Sequence, residues 1–113
     1  MVNEFHIRKV SSNDIPELLN LMNMYIVDFY KREKPNEFNL RALIQHLLDH
    51  PASGLQFGAE DQNGRLIGFA TMYFTFSTLN VKRQAILNDL FVIPEARGWG
   101  SVIPNLLKLY SGE

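Results

Sequence analysis

An arginine and two glycines near the end of the chain have the types and spacing needed to hold a phosphate group. Arg97, Gly98 and Gly100 follow the apolar segment 90–93 and precede a helix-like segment, 101–110. Glycine lets the backbone approach an anion closely, and the first turn of a helix offers unpaired N–H donors at the positive end of its dipole. Arg97 adds a cation beside them. This arrangement predicts a site for a nucleotide-like or coenzyme-A-like ligand.

Asp89 is a second group that could do chemistry, because it lies in the almost wholly apolar segment Ala85–Val92. A carboxylate near apolar neighbours can act as a base or bind a cationic amine, and it can equally hold a loop backbone. Asn88 precedes it, and side chains alternate along a strand. The sequence therefore predicts that Asn88 and Asp89 face opposite sides.

Histidines are too scattered to predict a metal site. His46 and His50 are one helical turn apart, but a third ligand is not apparent, and His6 is far away in the sequence. The chain has no cysteine, which excludes disulfides, thiolate nucleophiles and cysteine-ligated metals. We expect no metal.

Composition limits the class of protein. The chain has 113 residues, of which 46% are hydrophobic, enough for a single domain with a modest core. Its net charge of −1, from 11 basic and 12 acidic residues, argues against a nucleic-acid partner. No apolar run approaches the ~18 residues of a membrane span, and the first residues lack the apolar core of a signal peptide. We therefore expect a soluble, cytoplasmic protein.

Hydrophobic periodicity predicts a strand, two helices, three strands and a final helix. Asn39 is the predicted cap of the second helix, which ends near Pro51. The segment 61–64 predicts a hairpin turn, and 78–84 a polar loop. Such an order indicates an α+β (mixed α/β) fold on one mainly antiparallel sheet. The predicted elements are strand Phe5–Val10, a helix from Ile15 to about Tyr30, a helix from 39 to 50, strands Leu55–Glu60, Arg65–Ser77 and Ala85–Val92, and a helix from Ser101 to Tyr110.

The element order and the segment Leu90-Phe91-Val92-x-Pro94-Glu95-x-Arg97-Gly98-x-Gly100 resemble the GNAT superfamily of N-acetyltransferases. Two further segments look closest to its branch of diamine and polyamine acetyltransferases. These are Gly68-Phe69-Ala70 leading into Tyr73-Phe74-x-Phe76-Ser77, and Leu87-Asn88-Asp89-Leu90-Phe91-Val92.

The resemblance implies transfer of an acetyl group from acetyl-CoA to a small primary amine, such as a polyamine or an amino acid. In this family the strand that holds Leu90, Phe91 and Val92 splays from its neighbour, and its free backbone groups pair with the pantetheine arm. Asp89 is the candidate catalytic residue. By position, the residues expected to face the pyrophosphate are Arg97, Gly98, Trp99, Gly100, Ser101 and Val102.

Two departures from the family pattern affect this expectation. The β-branched Val102 stands where the phosphate loop usually has a small residue, and Pro104 fits only within the first turn of a helix. Family members also continue with another strand, a helix and a hairpin, and many carry a general-acid tyrosine there. The sequence therefore predicts a single, C-terminally truncated GNAT domain over 1–113, with weak or absent catalysis.

Two non-catalytic alternatives stay open. One is a remnant that self-associates through its exposed strand 85–92, because an unpaired apolar edge invites pairing with a second copy. The other is a protein that binds coenzyme A or a nucleotide through the same loop without group transfer.

Overall fold

A computed structural model describes residues 4–97 and 102–111. Within them the order of strands and helices is the one that the sequence predicts, and it confirms the α+β fold class. The elements are β1 (Phe5–Lys9), α1 (Ile15–Asn23), a π-helical turn (Met24–Phe29), α2 (Glu37–Asp49), β2 (Gly54–Asp61), β3 (Leu66–Ser77), β4 (Lys82–Val92) and α3 (Val102–Ser111).

One four-stranded sheet organises the described residues. Its strands run β1-β2-β3-β4, and every neighbouring pair is antiparallel. The register places Phe57 opposite Ala70, and Ala70 opposite Leu90. β4 therefore pairs with β3 on one side and forms an edge of this sheet on the other.

The helices bury the apolar surface of this sheet. α1 packs against β3 and α2, while α3 contacts all four strands. Helical spacing puts the apolar side chains of each helix on one face. Leu18, Ile44 and Leu106 are fully buried, and they share one core with Phe69 of the central strand.

Three boundaries differ from the sequence prediction by more than one residue. The first helix passes at Met24 into a π-helical turn of six residues, which the side-chain pattern does not predict. The cap of α2 is Asn36, not Asn39, because the Asn36 Oδ1 accepts from the Asn39 N–H at 3.1 Å. β4 begins at Lys82, so the predicted loop shortens to a turn at residues 78–81.

The predicted hairpin between β2 and β3 is confirmed. Gly64 has a φ of +82°, a left-handed conformation that glycine adopts without strain. The Asp61 carboxylate accepts from the N–H groups of Asn63 and Arg65, each at 2.9 Å. No helix in residues 4–97 or 102–111 has the length and apolar character needed to cross a bilayer.

A network of charged groups ties the start of α1 to β1 and β2. The Arg8 guanidinium donates to both carboxylate oxygens of Asp14, at 2.7 and 2.8 Å, and its Nε donates to Glu60 at 2.9 Å. The Ser11 N–H also donates to Asp14, at 2.8 Å. The Asp14 side chain is only 8% exposed, so these bonds are poorly screened by solvent. Its pKa is lowered to about 2, chiefly by the Arg8 hydrogen bond.

We expect stability to fall in acid as Asp14 is protonated. A carboxylate whose pKa is lower in the folded state stabilises the fold above its unfolded pKa of about 4, and this contribution disappears as the pH falls toward 2. The free energy of unfolding, measured with urea, should drop by about 2 kcal/mol from this group between pH 6 and pH 2. Asp14→Asn should remove that part of the pH dependence.

The exposed carboxylate of Asp49, on α2, offers the matched control. Asp49→Asn should leave the pH profile as it is in the parent protein. A profile equally steep with and without the Asp14 carboxylate would contradict the role given to the Arg8–Asp14 pair.

Candidate active site

A β-bulge distorts β4 beside the predicted site. Thr71 pairs with Asp89 and Met72 pairs with Leu87, so Asn88 has no partner on β3. An extra residue of this kind bends its strand and increases the local twist. A bulge disturbs simple alternation, so the register alone leaves the opposite facing of Asn88 and Asp89 a prediction. Asn88 is exposed, whereas Asp89 is half-buried.

Beyond the bulge, β4 presents backbone groups at its open edge. The Ile93 N–H donates to the Ile67 carbonyl at 2.9 Å, which fixes the alternation of the antiparallel ladder. By this alternation Phe91 exchanges its backbone hydrogen bonds with Phe69, while Leu90 and Val92 turn their N–H and C=O groups away from β3. Of the three strand residues predicted to contact the coenzyme, Leu90 and Val92 therefore offer backbone groups at this edge, whereas Phe91 is buried and its ring packs against Tyr25 and Phe69.

Tyrosines surround Asp89 on one face of the sheet. Asp89 and Phe91 are two residues apart on β4 and share a face, and the Tyr25 ring packs against Phe91 with centroids 5.8 Å apart. Burial raises the pKa of Tyr25, and the neighbouring Tyr30 and Asp89 raise it further. Burial, together with the charge of Asp89, also raises the pKa of Tyr73. Both phenols therefore stay protonated at neutral pH and can donate to a carboxylate or a ligand.

A row of polar side chains leads from Asp89 into the sheet. Gln56, Thr71 and Asp89 are consecutive cross-strand partners on β2, β3 and β4. The Gln56 amide donates to the Thr71 hydroxyl at 3.1 Å, and both residues are buried. The Thr71 hydroxyl oxygen accepts in this bond and keeps its own proton as a donor.

Arg97 lies directly beside the open edge of β4. Its Nε donates to the outward-facing Val92 carbonyl at 2.8 Å. Its guanidinium carbon lies 5.5 Å from the centre of the Phe91 ring and 5.6 Å from that of Phe29. These contacts hold the cation in place without neutralising it. An adjoining cavity of about 250 Å³ is lined by Met24, Asp28, Phe29, Phe91, Pro94, Glu95 and Arg97.

Most of the predicted phosphate loop is not described. Gly98, Trp99, Gly100 and Ser101 lie outside the described residues. α3 begins at Val102, whose side chain is 2% exposed and packs in the core. Its β-branched side chain therefore points into the core rather than into open space. Pro104 is the third residue of α3, within the first turn, where its missing N–H costs no helical hydrogen bond.

The histidine pair forms a local helix-end contact. The rings of His46 and His50 stack with centroids 4.3 Å apart, and His50 Nδ1 lies 2.9 Å from the His46 carbonyl oxygen. In the described part of the chain, no three histidine, aspartate or glutamate side chains are grouped as ligands for a metal ion.

The sequence reasoning missed two features of this site. The bulge at Asn88 had a signal, since two adjacent polar residues interrupt an apolar strand. The π-helical turn, which brings Tyr25 and Phe29 against Phe91, had none, because Met24–Phe29 is as helical in its pattern as the residues before it.

Known proteins share this fold and part of its sequence. No family model matches the chain. The uncharacterized N-acetyltransferase YhfO of Bacillus subtilis is 34% identical over 110 residues, which cover 96% of this chain and 71% of that protein. A solved structure of a probable acetyltransferase is 29% identical with a TM-score of 0.81, covering 95% of this chain and 69% of its own.

A third similarity concerns the fold alone. A predicted acetyltransferase from Clostridium acetobutylicum, solved with acetyl-CoA, has a TM-score of 0.78 at 19% identity, and the match covers 96% of this chain and 72% of that one. Its sheet and helices thus match those described above. With this sequence identity to an N-acetyltransferase and this shared fold, the chain belongs to the GNAT superfamily of N-acetyltransferases.

Proposed function

We propose that this chain is an acetyl-CoA-dependent N-acetyltransferase that acts on a small primary amine. The observation that carries the proposal is the open edge of β4, where the backbone groups of Leu90 and Val92 face away from β3. Acetyl-CoA contains two amide groups in its pantetheine arm, and amides pair with a free strand edge as another strand would. The structural neighbour from Clostridium acetobutylicum was solved with acetyl-CoA, which supports the same choice of coenzyme.

The phosphates of the coenzyme would lie beyond the end of this edge. α3 begins at Val102, and the N–H groups of its first turn have no helical partner. We assign the pyrophosphate to these donors, to the Arg97 cation and to residues 98–101, which lie outside the described residues. Arg97 also touches the Val92 carbonyl, so one side chain would link the pantetheine part of the site to its phosphate part.

Asp89 is the group that we assign to the amine. During transfer the amine nitrogen forms a bond to the acetyl carbon, the carbon–sulfur bond breaks, and coenzyme A leaves as a thiolate that takes up a proton. The amine must lose a proton to attack, and a half-buried carboxylate can accept that proton or hold the ammonium before it is lost. The protonated Tyr25 nearby can donate a hydrogen bond to the Asp89 carboxylate.

Turnover by this chain alone is expected to be weak, since β4 lacks a neighbour on one side within the described residues. The matched part of YhfO is 71% of that protein, and we propose that family members use further elements to complete the cleft.

A second candidate function follows from the same edge. A second copy of the chain, in the cytoplasm, would pair along β4 and cover it, giving a dimer that binds coenzyme weakly or not at all.

Replacing Arg97 tests the coenzyme site. Arg97→Ala removes the hydrogen bond to Val92 and the cation near the phosphates, so the Kd for acetyl-CoA should rise about tenfold. The increase should be larger at low salt than at high salt, because the contact is electrostatic. Isothermal titration calorimetry measures both. Arg83→Ala is the matched control, since Arg83 also stacks on a ring, that of Phe74 at 4.5 Å, but lies at the start of β4, whereas Arg97 follows its end. An unchanged Kd for the Arg97 variant would remove this residue from the site.

Replacing Asp89 tests the reaction. Asp89→Asn should lower kcat/KM about 10²- to 10⁴-fold while the Kd for acetyl-CoA stays nearly constant, because general-base or ammonium-holding groups act on the acceptor and not on the coenzyme. Thiol release from acetyl-CoA with a panel of amines measures the rate. Asn88→Ala, at the exposed neighbouring position, should have a small effect. Full activity of the Asp89 variant would show that the carboxylate only supports the fold.

Coenzyme and self-association should compete for β4. Light scattering should show a mass that rises with protein concentration, and acetyl-CoA should shift it back toward the monomer. Ile86→Lys places a charge on the exposed part of the strand, where Ile86 is 45% exposed, and should prevent pairing. Leu79→Lys, at the hairpin turn, is the control. A monomer at every concentration would rule out the pairing.

A further inference from the structure

A second cavity adjoins the tyrosines around Asp89 and is separate from the cavity beside Arg97. It measures about 240 Å³ and is lined by Tyr25, Ile26, Tyr30 and Arg32. Its walls come from the π-helical turn and the residues just after it. Two aromatic rings at right angles, with centroids 5.0 Å apart, form one side.

Backbone hydrogen bonds fix Arg32 at the rim of this cavity. The Arg32 N–H donates to the Ile26 carbonyl at 3.0 Å, and the Tyr30 N–H donates to the Tyr25 carbonyl at 3.1 Å. Between them Lys31 has a φ of +58°, which turns the chain back over the end of the helix. The backbone of Arg32 is therefore fixed by a hydrogen bond. From the sequence alone, Arg32 lies in a polar segment between two predicted helices.

The Arg32 guanidinium has no charged partner in the described ranges. In these ranges the arginines that form ion pairs with carboxylates are Arg8 and Arg65. The arginines that stack on aromatic rings are Arg83 and Arg97. An arginine at a cavity wall whose guanidinium N–H groups carry no charged partner can bind a planar anion. A carboxylate accepts two parallel hydrogen bonds from such a guanidinium.

Tyr25 connects this cavity with Asp89. Its ring lines the cavity and also packs on Phe91, which shares a face of β4 with Asp89. Tyr25 thus lies between a carboxylate, that of Asp89, and a guanidinium, that of Arg32. An amine with a second positive charge would meet Arg32 unfavourably, whereas an amine with a carboxylate would satisfy both groups.

We infer that the acceptor is an amino acid or a related molecule that carries a carboxylate, bound with its amine toward Asp89 and its carboxylate on Arg32. This inference rests on the proposed acetyl transfer and narrows its acceptor class away from polyamines. Arg32 is a specificity-determining residue in this account and takes no part in moving protons.

Equilibrium binding tests the inference without requiring turnover. Amino acids of increasing chain length, the carboxamide of each and the matching diamines are titrated into the acetyl-CoA-saturated protein and followed by NMR. For the chain length that fits best, the Kd of the amino acid should be about tenfold lower than the Kd of its amide. The difference between the Kd of the amino acid and that of the diamine should be larger still. Arg32→Met should abolish this difference. Lys34→Met, a nearby cation that does not line the cavity, should preserve it.

The outcomes separate this inference from the proposed function. Equal affinity for amino acid and amide, tighter binding of the diamine, or equal effects of the Arg32 and Lys34 variants would each overturn the carboxylate assignment. So would a lack of binding by every amino acid while acetyl-CoA still binds. Failure to bind acetyl-CoA at all would instead count against the proposed function, and calorimetry with the coenzyme alone reports it.

Discussion

The account depends on the unsatisfied backbone at the edge of β4. Leu90 and Val92 each hold a peptide N–H and C=O that β3 cannot reach, because antiparallel pairing serves alternate residues. Leaving such groups unpaired in a dry cleft costs free energy, so the edge has to meet water, a ligand or another strand. A coenzyme with two amides satisfies it, and so does a second copy of the chain. Arg97 already satisfies one of these groups, the Val92 carbonyl, which shows that the edge accepts donors.

The bulge at Asn88 lies between this edge of β4 and the exposed start of the strand. An extra residue in β4 bends the strand where the apolar core gives way to Asp89 and its tyrosines. On the face of the sheet that α1 covers, a cluster of aromatic rings packs beside this edge. In this cluster Tyr25 contacts Phe69, Phe91 and Tyr30. The π-helical turn sets the position of Tyr25. The open edge of β4, the Asp89 carboxylate and the cavity beside Arg32 are thus connected through Tyr25.

Much of this fold could be read from the sequence, because its signals are local and agree with one another. Helical spacing identified α1 and α2, the Asn63-Gly64 pair identified the hairpin, and a proline marked the end of β4. The cap of α2 was wrong because Asn36 and Asn39 are both capping residues three positions apart, and only the backbone shows which of them accepts. The start of β4 was missed because Lys82 and Arg83 read as a loop, whereas cross-strand pairing with Phe76 and Ser77 extends the strand through them.

The site was predictable in outline only. Arg97 and Asp89 carry charge in an unusual sequence context and could be singled out, but the role of Arg32 depends on a cavity that only the folded chain forms. Amide hydrogen exchange tests the central claim most directly. The N–H groups of Leu90 and Val92 should exchange quickly in the free protein and become protected when acetyl-CoA is added, while the Phe91 N–H is protected in both states. Fast exchange at Leu90 and Val92 in the presence of saturating coenzyme would contradict the account.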